Sequence, residues 1–158
     1  MNVEVKSLPA TRVAYLRHIG PYGTPGIPHT WQRLGAWCAE HGLTLPRRTM
    51  YGIAYDNPDV TPAEKCRYDA CVEVDASFGP QGEIGIQTIA GGRYLCSQFS
   101  GTSATIHEGW TKLCRGALPD RGYQADDRPT LEIYPPAFAM DKRTGALSCL
   151  LCMPVRPL

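Results

Sequence analysis

A carboxylate and a phenol interrupt an apolar stretch near the end of the chain, Leu131-Glu132-Ile133-Tyr134. The stretch reads as a strand, in which successive side chains point to opposite faces, so Glu132 and Tyr134 share one face. An isolated carboxylate in apolar surroundings costs free energy unless it is protonated, hydrogen-bonded or paired with a cation. Glu132 is therefore a candidate functional residue. The alternative is a half-exposed strand, with Leu131 and Ile133 in the core and the two polar side chains in water.

A second stretch, Ile53-Ala54-Tyr55, has the same pattern without the carboxylate. In this comparison Tyr55 takes the place of Tyr134, and Ile53 takes the place of Glu132. The chain therefore looks duplicated, and Glu132 distinguishes the two halves.

A longer match supports the duplication, because residues 3–20 align without a gap on residues 84–101. Hydrophobic periodicity predicts two strands, a helix and two further strands in each half. We expect an α+β fold built as a tandem repeat of strand-helix-strand-strand units about a pseudo-two-fold axis, with antiparallel sheets and one helix per repeat. The chain would form one domain, with repeat one at 1–76, a linker at 77–83 and repeat two at 84–158.

The first half carries two local expectations. The strand that begins at residues 3–5 and the strand at 12–19 are close in sequence, which predicts a hairpin. Thr24 is placed to cap the helix that follows, and Gly42 is placed to end it.

The fourth strand, at residues 66–74, alternates clearly between apolar and polar side chains. Such alternation predicts one face in the core and one in water. The residues expected on the wet face are Arg67, Asp69, Cys71 and Glu73.

The seam between two related units is where a concave site forms most easily. The residues that we expect to line a ligand site at this seam are Glu132, Tyr55, Tyr134, Trp37, Tyr15 and Tyr94. The alternative for each aromatic residue is an ordinary place in the core.

Composition limits the kinds of partner. The chain has 158 residues and a formal net charge of +1, and its one tight basic pair is Arg47-Arg48, so we expect no direct contact with nucleic acid. No stretch approaches the roughly 20 apolar residues of a membrane span, and the first residues lack a secretion signal. We expect a cytoplasmic protein that does not enter the membrane.

Seven cysteines in such a chain indicate small core residues rather than a disulfide framework. Cys149 and Cys152 have the spacing of a metal-binding pair, but residues three apart in a strand face opposite sides of the sheet. We expect neither a metal nor a cofactor.

The connection between the third and fourth strands, Tyr55-Asp56-Asn57-Pro58-Asp59-Val60-Thr61-Pro62-Ala63-Glu64-Lys65-Cys66-Arg67-Tyr68-Asp69, resembles the GyrI-like family. That family includes DNA gyrase inhibitor proteins and the effector-binding domains of AraC-type and MerR-type regulators. The duplicated plan and Leu131-Glu132-Ile133-Tyr134 are similar to the family as well, so the resemblance covers essentially the whole chain.

The resemblance implies a groove between two units that takes up small, often cationic and aromatic molecules. In multidrug-binding relatives a carboxylate at the position of Glu132 meets the ligand's positive charge. Because no helix-turn-helix precedes the first strand, we expect a stand-alone protein that senses or sequesters toxic aromatic compounds.

Two alternative functions follow from the same resemblance. One is a hydrolase of strained cyclopropane-containing electrophiles, in which Glu132 acts as general base and Tyr134 or Tyr55 holds or protonates the developing oxyanion. The other is an interaction protein that binds DNA gyrase or another macromolecule.

Overall fold

The computed structural model describes residues 2–43, 47–116, 118, 121–136 and 138–158, which form an α+β fold of nine antiparallel strands and two α-helices. The first half holds β1 (Val3–Leu8), β2 (Thr11–Ile19), α1 (Gly26–Glu40), β3 (Met50–Ala54) and β4 (Arg67–Glu73). The second half holds β5 (Gly85–Ile89), β6 (Gly92–Gly101), α2 (Ile106–Gly116), β7 (Tyr123–Ala125), β8 (Thr130–Tyr134) and β9 (Leu147–Pro157). The α+β class is as predicted, whereas the strands form one sheet rather than several.

The strand order places β3 and β8, one from each half, side by side in the middle of the sheet. The order is β1-β6-β9-β8-β3-β4-β2-β5, and the short β7 pairs with β9. Along the central pair, Met50 lies opposite Tyr134 and Gly52 lies opposite Glu132. The stretch that carries Glu132 is therefore at the centre of the molecule.

The predicted hairpin of β1 and β2 is wrong, because each strand pairs with the other half of the chain. β1 pairs with β6, and β2 pairs with β5 and β4. A two-residue hairpin needs residues that adopt positive φ, and Pro9, with φ fixed near about −65°, cannot do so. The link at Pro9 and Ala10 instead passes close to the link between β5 and β6 at Gly91, where a Cβ would lie 2.7 Å from Ala10 N and 2.9 Å from Leu8 O.

Both helices pack on the same face of the sheet, which we call the helix face. α1 contacts β2 and β4, and α2 contacts β6 and β9. Thr24 does not cap α1: its hydroxyl donates to the Pro21 carbonyl, and Pro25 occupies the cap position without a side-chain hydrogen bond. The helix ends before Gly42, as predicted, and Gly42 has the positive φ of +71° that favours glycine there.

The opposite side of the sheet, the far face, has its own buried cluster, which includes Val13, Ile53 and Leu131. β4 is consequently buried on both faces, and the predicted wet face is wrong at its centre. Asp69 and Cys71 are fully buried, whereas Arg67 and Glu73 at the strand ends are exposed. The sequence pattern predicted a solvent-exposed side of β4 because four polar or small residues share it. In the structure that side packs into the far-face cluster.

Cys149 belongs to the helix-face core and Cys152 to the far-face core, so the two thiols lie on opposite sides of the sheet, as their spacing predicts. Within the described ranges, no group of three or more His, Cys, Asp or Glu side chains is arranged to hold a metal ion. In the same ranges, neither helix is long and apolar enough to cross a membrane.

Candidate functional site

Glu132 projects from the middle of β8 onto the helix face and is 8% exposed. Its Oε1 accepts a hydrogen bond from the Tyr68 hydroxyl at 2.7 Å, and its Oε2 accepts one from the Tyr134 hydroxyl at 3.2 Å. The interpretation of Glu132 as a solvent-facing residue of a half-exposed strand is therefore wrong. The carboxylate is buried and held between two phenols.

Gly52 makes the space for this arrangement. It lies directly opposite Glu132 on β3, and a Cβ at Gly52 would collide with both the Tyr68 hydroxyl and Glu132 Oε1. Tyr68 reaches the carboxylate from β4, across β3, through this gap. Any larger residue at position 52 would separate the phenol from the carboxylate.

Aromatic rings surround the carboxylate and its two donors. Trp31 of α1 donates its indole N–H to the Tyr68 hydroxyl at 3.2 Å, and its ring meets the Tyr134 ring edge-on at a centroid distance of 5.7 Å. The Phe138 ring lies 4.8 Å from the Tyr134 ring, and the Tyr22 ring lies 6.5 Å from the Tyr68 ring, measured between ring centroids. We call these five residues, Tyr22, Trp31, Tyr68, Tyr134 and Phe138, the aromatic shell.

Burial dominates the electrostatics of the site. It raises the pKa of Glu132, and the hydrogen bonds from Tyr68 and Tyr134 offset part of that rise by stabilising the ionised form. The pKa values of both phenols are raised well above their usual range by burial and by the neighbouring carboxylate, so both stay protonated donors. Burial, with Glu132 close by, also raises the pKa of the Cys149 thiol to about 12.

Glu132 has no cationic partner among the residues that the structure describes. Each ion pair found there joins other side chains, and the two phenols are the hydrogen-bond donors to this carboxylate. A buried anion with neutral donors only is incompletely compensated. Its surroundings would favour a cation that entered the site.

The connection after β3 fixes one wall of the aromatic shell. The Asp56 carboxylate accepts hydrogen bonds from the Arg67 backbone and guanidinium at 2.8–3.0 Å. The Tyr22 hydroxyl donates to the Arg67 carbonyl and accepts from the Asp56 amide at 3.3 Å. Asp56 and Arg67, which are joined by these hydrogen bonds, together position Tyr22 against Tyr68.

An open depression of about 350 Å³ borders the shell at Phe138. Its walls combine apolar and polar surface, and they include the hydroxyls of Ser100 and Ser148, which hydrogen-bond each other at 3.0 Å. Pro135, Pro136 and Leu147 also line the depression and supply apolar surface.

The structure brings two of the six predicted site residues together, Glu132 and Tyr134. Tyr55, Tyr15 and Tyr94 lie on the far face, so the sheet separates them from Glu132. The correspondence of Tyr55 with Tyr134 is therefore wrong, because the two side chains point to opposite faces. Trp37 is on the helix face but stacks on His41 at 4.5 Å, away from the shell.

The three far-face tyrosines have structural partners. The Tyr94 hydroxyl donates to the Ala90 carbonyl at 2.8 Å, and its ring lies under the Arg128 guanidinium at 4.6 Å. The Tyr55 hydroxyl donates to Asp69 at 2.7 Å. The Tyr15 ring lies 5.6 Å from the Arg17 guanidinium.

Asp69 is the centre of a polar network on the far face. Arg17 donates to both of its oxygens, at 2.8 and 2.9 Å, and Oδ2 also accepts from Tyr55 at 2.7 Å and from Gln87 at 2.8 Å. The hydrogen bond and the charge of Asp69 raise the pKa of the Arg17 guanidinium. Because the Asp69 carboxylate is paired with a cation and accepts from two further side chains, the network reads as a structural one.

Sequence reasoning missed Tyr68, Trp31, Gly52, Tyr22 and Phe138. Alternation placed Tyr68 on the apolar face of β4, which is correct, but only the register of β4 with β3 and of β3 with β8 brings it to Glu132. A glycine in the middle of an apolar strand signals a close approach by another group, and Gly52 fits that signal.

Comparisons with known proteins agree with the fold and with a small-molecule site. The DNA gyrase inhibitor of Edwardsiella ictaluri is 34% identical over 138 residues, which are 85% of this chain and 86% of that protein. The structure of an EcmrR–DNA complex matches 99% of the chain with a TM-score of 0.78 at 19% identity, and the chain spans 58% of that EcmrR chain.

The C-terminal domain of EcmrR alone gives a TM-score of 0.73 at 15% identity, with 99% of this chain and 98% of that domain covered. SAV2435 bound to tetraphenylphosphonium gives a TM-score of 0.67 at 16% identity over 99% of this chain and 94% of that one. At these identities the structural matches show a common fold. A model of the family matches residues 1–156, and the chain belongs to the GyrI-like small-molecule-binding domains.

Proposed function

We propose that this protein binds small aromatic cations, with Glu132 as the counter-ion and the aromatic shell as the walls of the site. The observation that carries the proposal is the buried Glu132 carboxylate, which has two phenol donors and no cationic partner in the described part of the chain. A ligand cation would supply the missing charge, and ring faces would stabilise it further once it is desolvated.

Ligand entry requires a side chain to move, because Trp31 contacts both Tyr68 and Tyr134 over the carboxylate. Trp31 is half-buried on α1, so its indole is the side chain best placed to swing away. The depression beside Phe138 continues the site outward and would accept an apolar arm of the ligand.

We infer as well that the two halves are copies of one unit. The strand order supports this inference. If β1 is exchanged with β5, β2 with β6, β3 with β8 and β4 with β9, and β7 is left out, the order β1-β6-β9-β8-β3-β4-β2-β5 becomes the same order read in reverse. The axis relating the copies would pass between β3 and β8, next to Glu132. The ligand site would then lie on the seam between the units.

Thermal unfolding with and without tetraphenylphosphonium tests the binding proposal, and triphenylphosphine oxide is a neutral control of similar shape. A ligand at about 100 times its Kd stabilises the fold by roughly 2.7 kcal/mol, which raises the Tm of a chain of this size by about 5–10 °C. We expect the cation to raise the Tm and the neutral compound to raise it much less. Equal shifts, or no shift from a panel of aromatic cations, would contradict the proposal.

The same geometry gives a second candidate, hydrolysis of an electrophile. A carboxylate whose pKa is raised by burial is a suitable general base, and the adjacent Tyr134 or Tyr68 hydroxyl could donate to a developing oxyanion. Tyr55 has no part in this mechanism because it lies on the far face. Mass spectrometry on a panel of strained cyclopropanes would decide the matter, since a hydrolase should lose roughly 10²–10⁴ in turnover on Glu132→Gln. If the wild-type protein turns over none of these compounds, the hydrolase candidate is rejected and ligand binding remains as the proposed function.

A further inference from the structure

Two buried thiols face each other across neighbouring strands, on the side of the sheet away from the ligand site. Cys96 of β6 and Cys152 of β9 are register partners, and their Sγ atoms are 2.9 Å apart. Both belong to the far-face core, with exposures of 1% and 0%. The Glu132 mechanism uses neither thiol.

The backbone around the pair suits a covalent link. Residues directly opposite in antiparallel strands have Cα atoms about 4.5–5.5 Å apart, which falls inside the range of about 4.4–6.8 Å that a disulfide spans. The other strand cysteines lack this arrangement: Cys149 is opposite Phe99, and Cys71 is opposite Tyr51 and Tyr15.

The pair also has the polarity that thiol oxidation requires. The hydrogen bond between the two sulfurs and the positive charge of Lys6 lower the pKa of Cys96 despite its burial, whereas the same hydrogen bond, burial and the charge of Cys96 raise the pKa of Cys152. Glu4 lies opposite Cys96 on the edge strand β1, pairs with Lys6 at 3.0 Å and acts against this effect. Cys96 is therefore the better nucleophile, one strand from the sheet edge.

We propose that Cys96 and Cys152 are a peroxide-oxidation site that closes to a cross-strand disulfide. The Cys96 thiolate attacks hydrogen peroxide, which breaks the O–O bond, gives a sulfenic acid and releases hydroxide. The Cys152 sulfur then attacks the sulfenic sulfur, an S–S bond forms, and the hydroxyl leaves as water with the Cys152 proton. Peroxide is about the size of water, and it needs only a brief opening beside β1 to reach Cys96.

The test is thiol counting by mass spectrometry after peroxide treatment, quenching, unfolding and alkylation with N-ethylmaleimide. The reduced protein should take up seven labels, one for each cysteine, and the oxidised protein five. Trypsin should then release a species that joins residues 94–112 to residues 144–158 and that dithiothreitol separates.

Matched variants identify the pair. The tryptic peptide with Cys152 also contains Cys149, so Cys149→Ala should keep the cross-link, whereas Cys96→Ala and Cys152→Ala should each abolish it. Seven labels on the treated wild-type protein, a cross-link that survives Cys152→Ala, or oxidation that stops at a Cys96 sulfinic acid would each overturn the proposal. The label count on the wild-type protein decides the outcome even if an alanine variant fails to fold.

Discussion

Replacing Gly52 by alanine should disrupt the site from the opposite strand without replacing any ionisable residue. The new Cβ would occupy the space now held by the Tyr68 hydroxyl and Glu132 Oε1. Moving them apart removes a hydrogen bond to a buried charged group, worth about 1.5–3 kcal/mol, and adds overpacking strain of about 1–3 kcal/mol. Together these contributions predict a loss of about 2.5–6 kcal/mol in the free energy of unfolding, and we also expect loss of ligand binding.

Urea unfolding followed by tryptophan fluorescence measures this loss. Gly79→Ala is the matched control, because a Cβ at Gly79 meets no atom within 4 Å and its φ is not positive. The control should remain within about 0.5 kcal/mol of the wild-type protein. If Gly52→Ala were as stable as Gly79→Ala, the close packing of Tyr68 against Glu132 would be refuted.

Three further predictions concern charge and hydrogen bonding. Burial raises the folded-state pKa of Glu132 above the unfolded value of 4.5, so the group favours folding most at pH below 4.5, and stability should fall as pH rises through the folded-state pKa. Glu132→Gln should remove that fall from pH-dependent urea midpoints; an unchanged slope would contradict it. Tyr68→Phe should cost about 1–3 kcal/mol at neutral pH, and less below pH 4.5 where Glu132 is protonated, in the same titration. Asp69→Asn should cost about 2–4 kcal/mol because Arg17 loses a buried partner, whereas ligand affinity, measured by calorimetry, should stay unchanged on the other face of the sheet.

The sequence predicted the strand that carries the site because its pattern is local. Residues 130–134 form β8 as expected, and Glu132 and Tyr134 share a face, since a period of two depends on the chain itself. The α+β class follows from the same periodicities.

What could not be predicted depends on pairing between distant strands. β1 joins β6 because Pro9 and Ala10 cannot form the tight turn of a hairpin, and period-two alternation does not say which strand is the neighbour. For the same reason the contact of Tyr68 with Glu132 could not be predicted, because it depends on how β4, β3 and β8 pair with one another. The sequence pattern also misplaced Asp69, because a buried ionic network produces the same alternation as a wet face.

Isothermal titration calorimetry of tetraphenylphosphonium against the wild-type protein and Glu132→Gln tests most directly whether Glu132 is the counter-ion of a bound cation. Loss of one charge-assisted contact should weaken binding by about 1–3 kcal/mol, roughly 5- to 150-fold, while triphenylphosphine oxide binds both proteins alike. Urea unfolding of the variant establishes that it is folded. Equal affinity of the folded variant and the wild-type protein for the cation would contradict the assignment of Glu132.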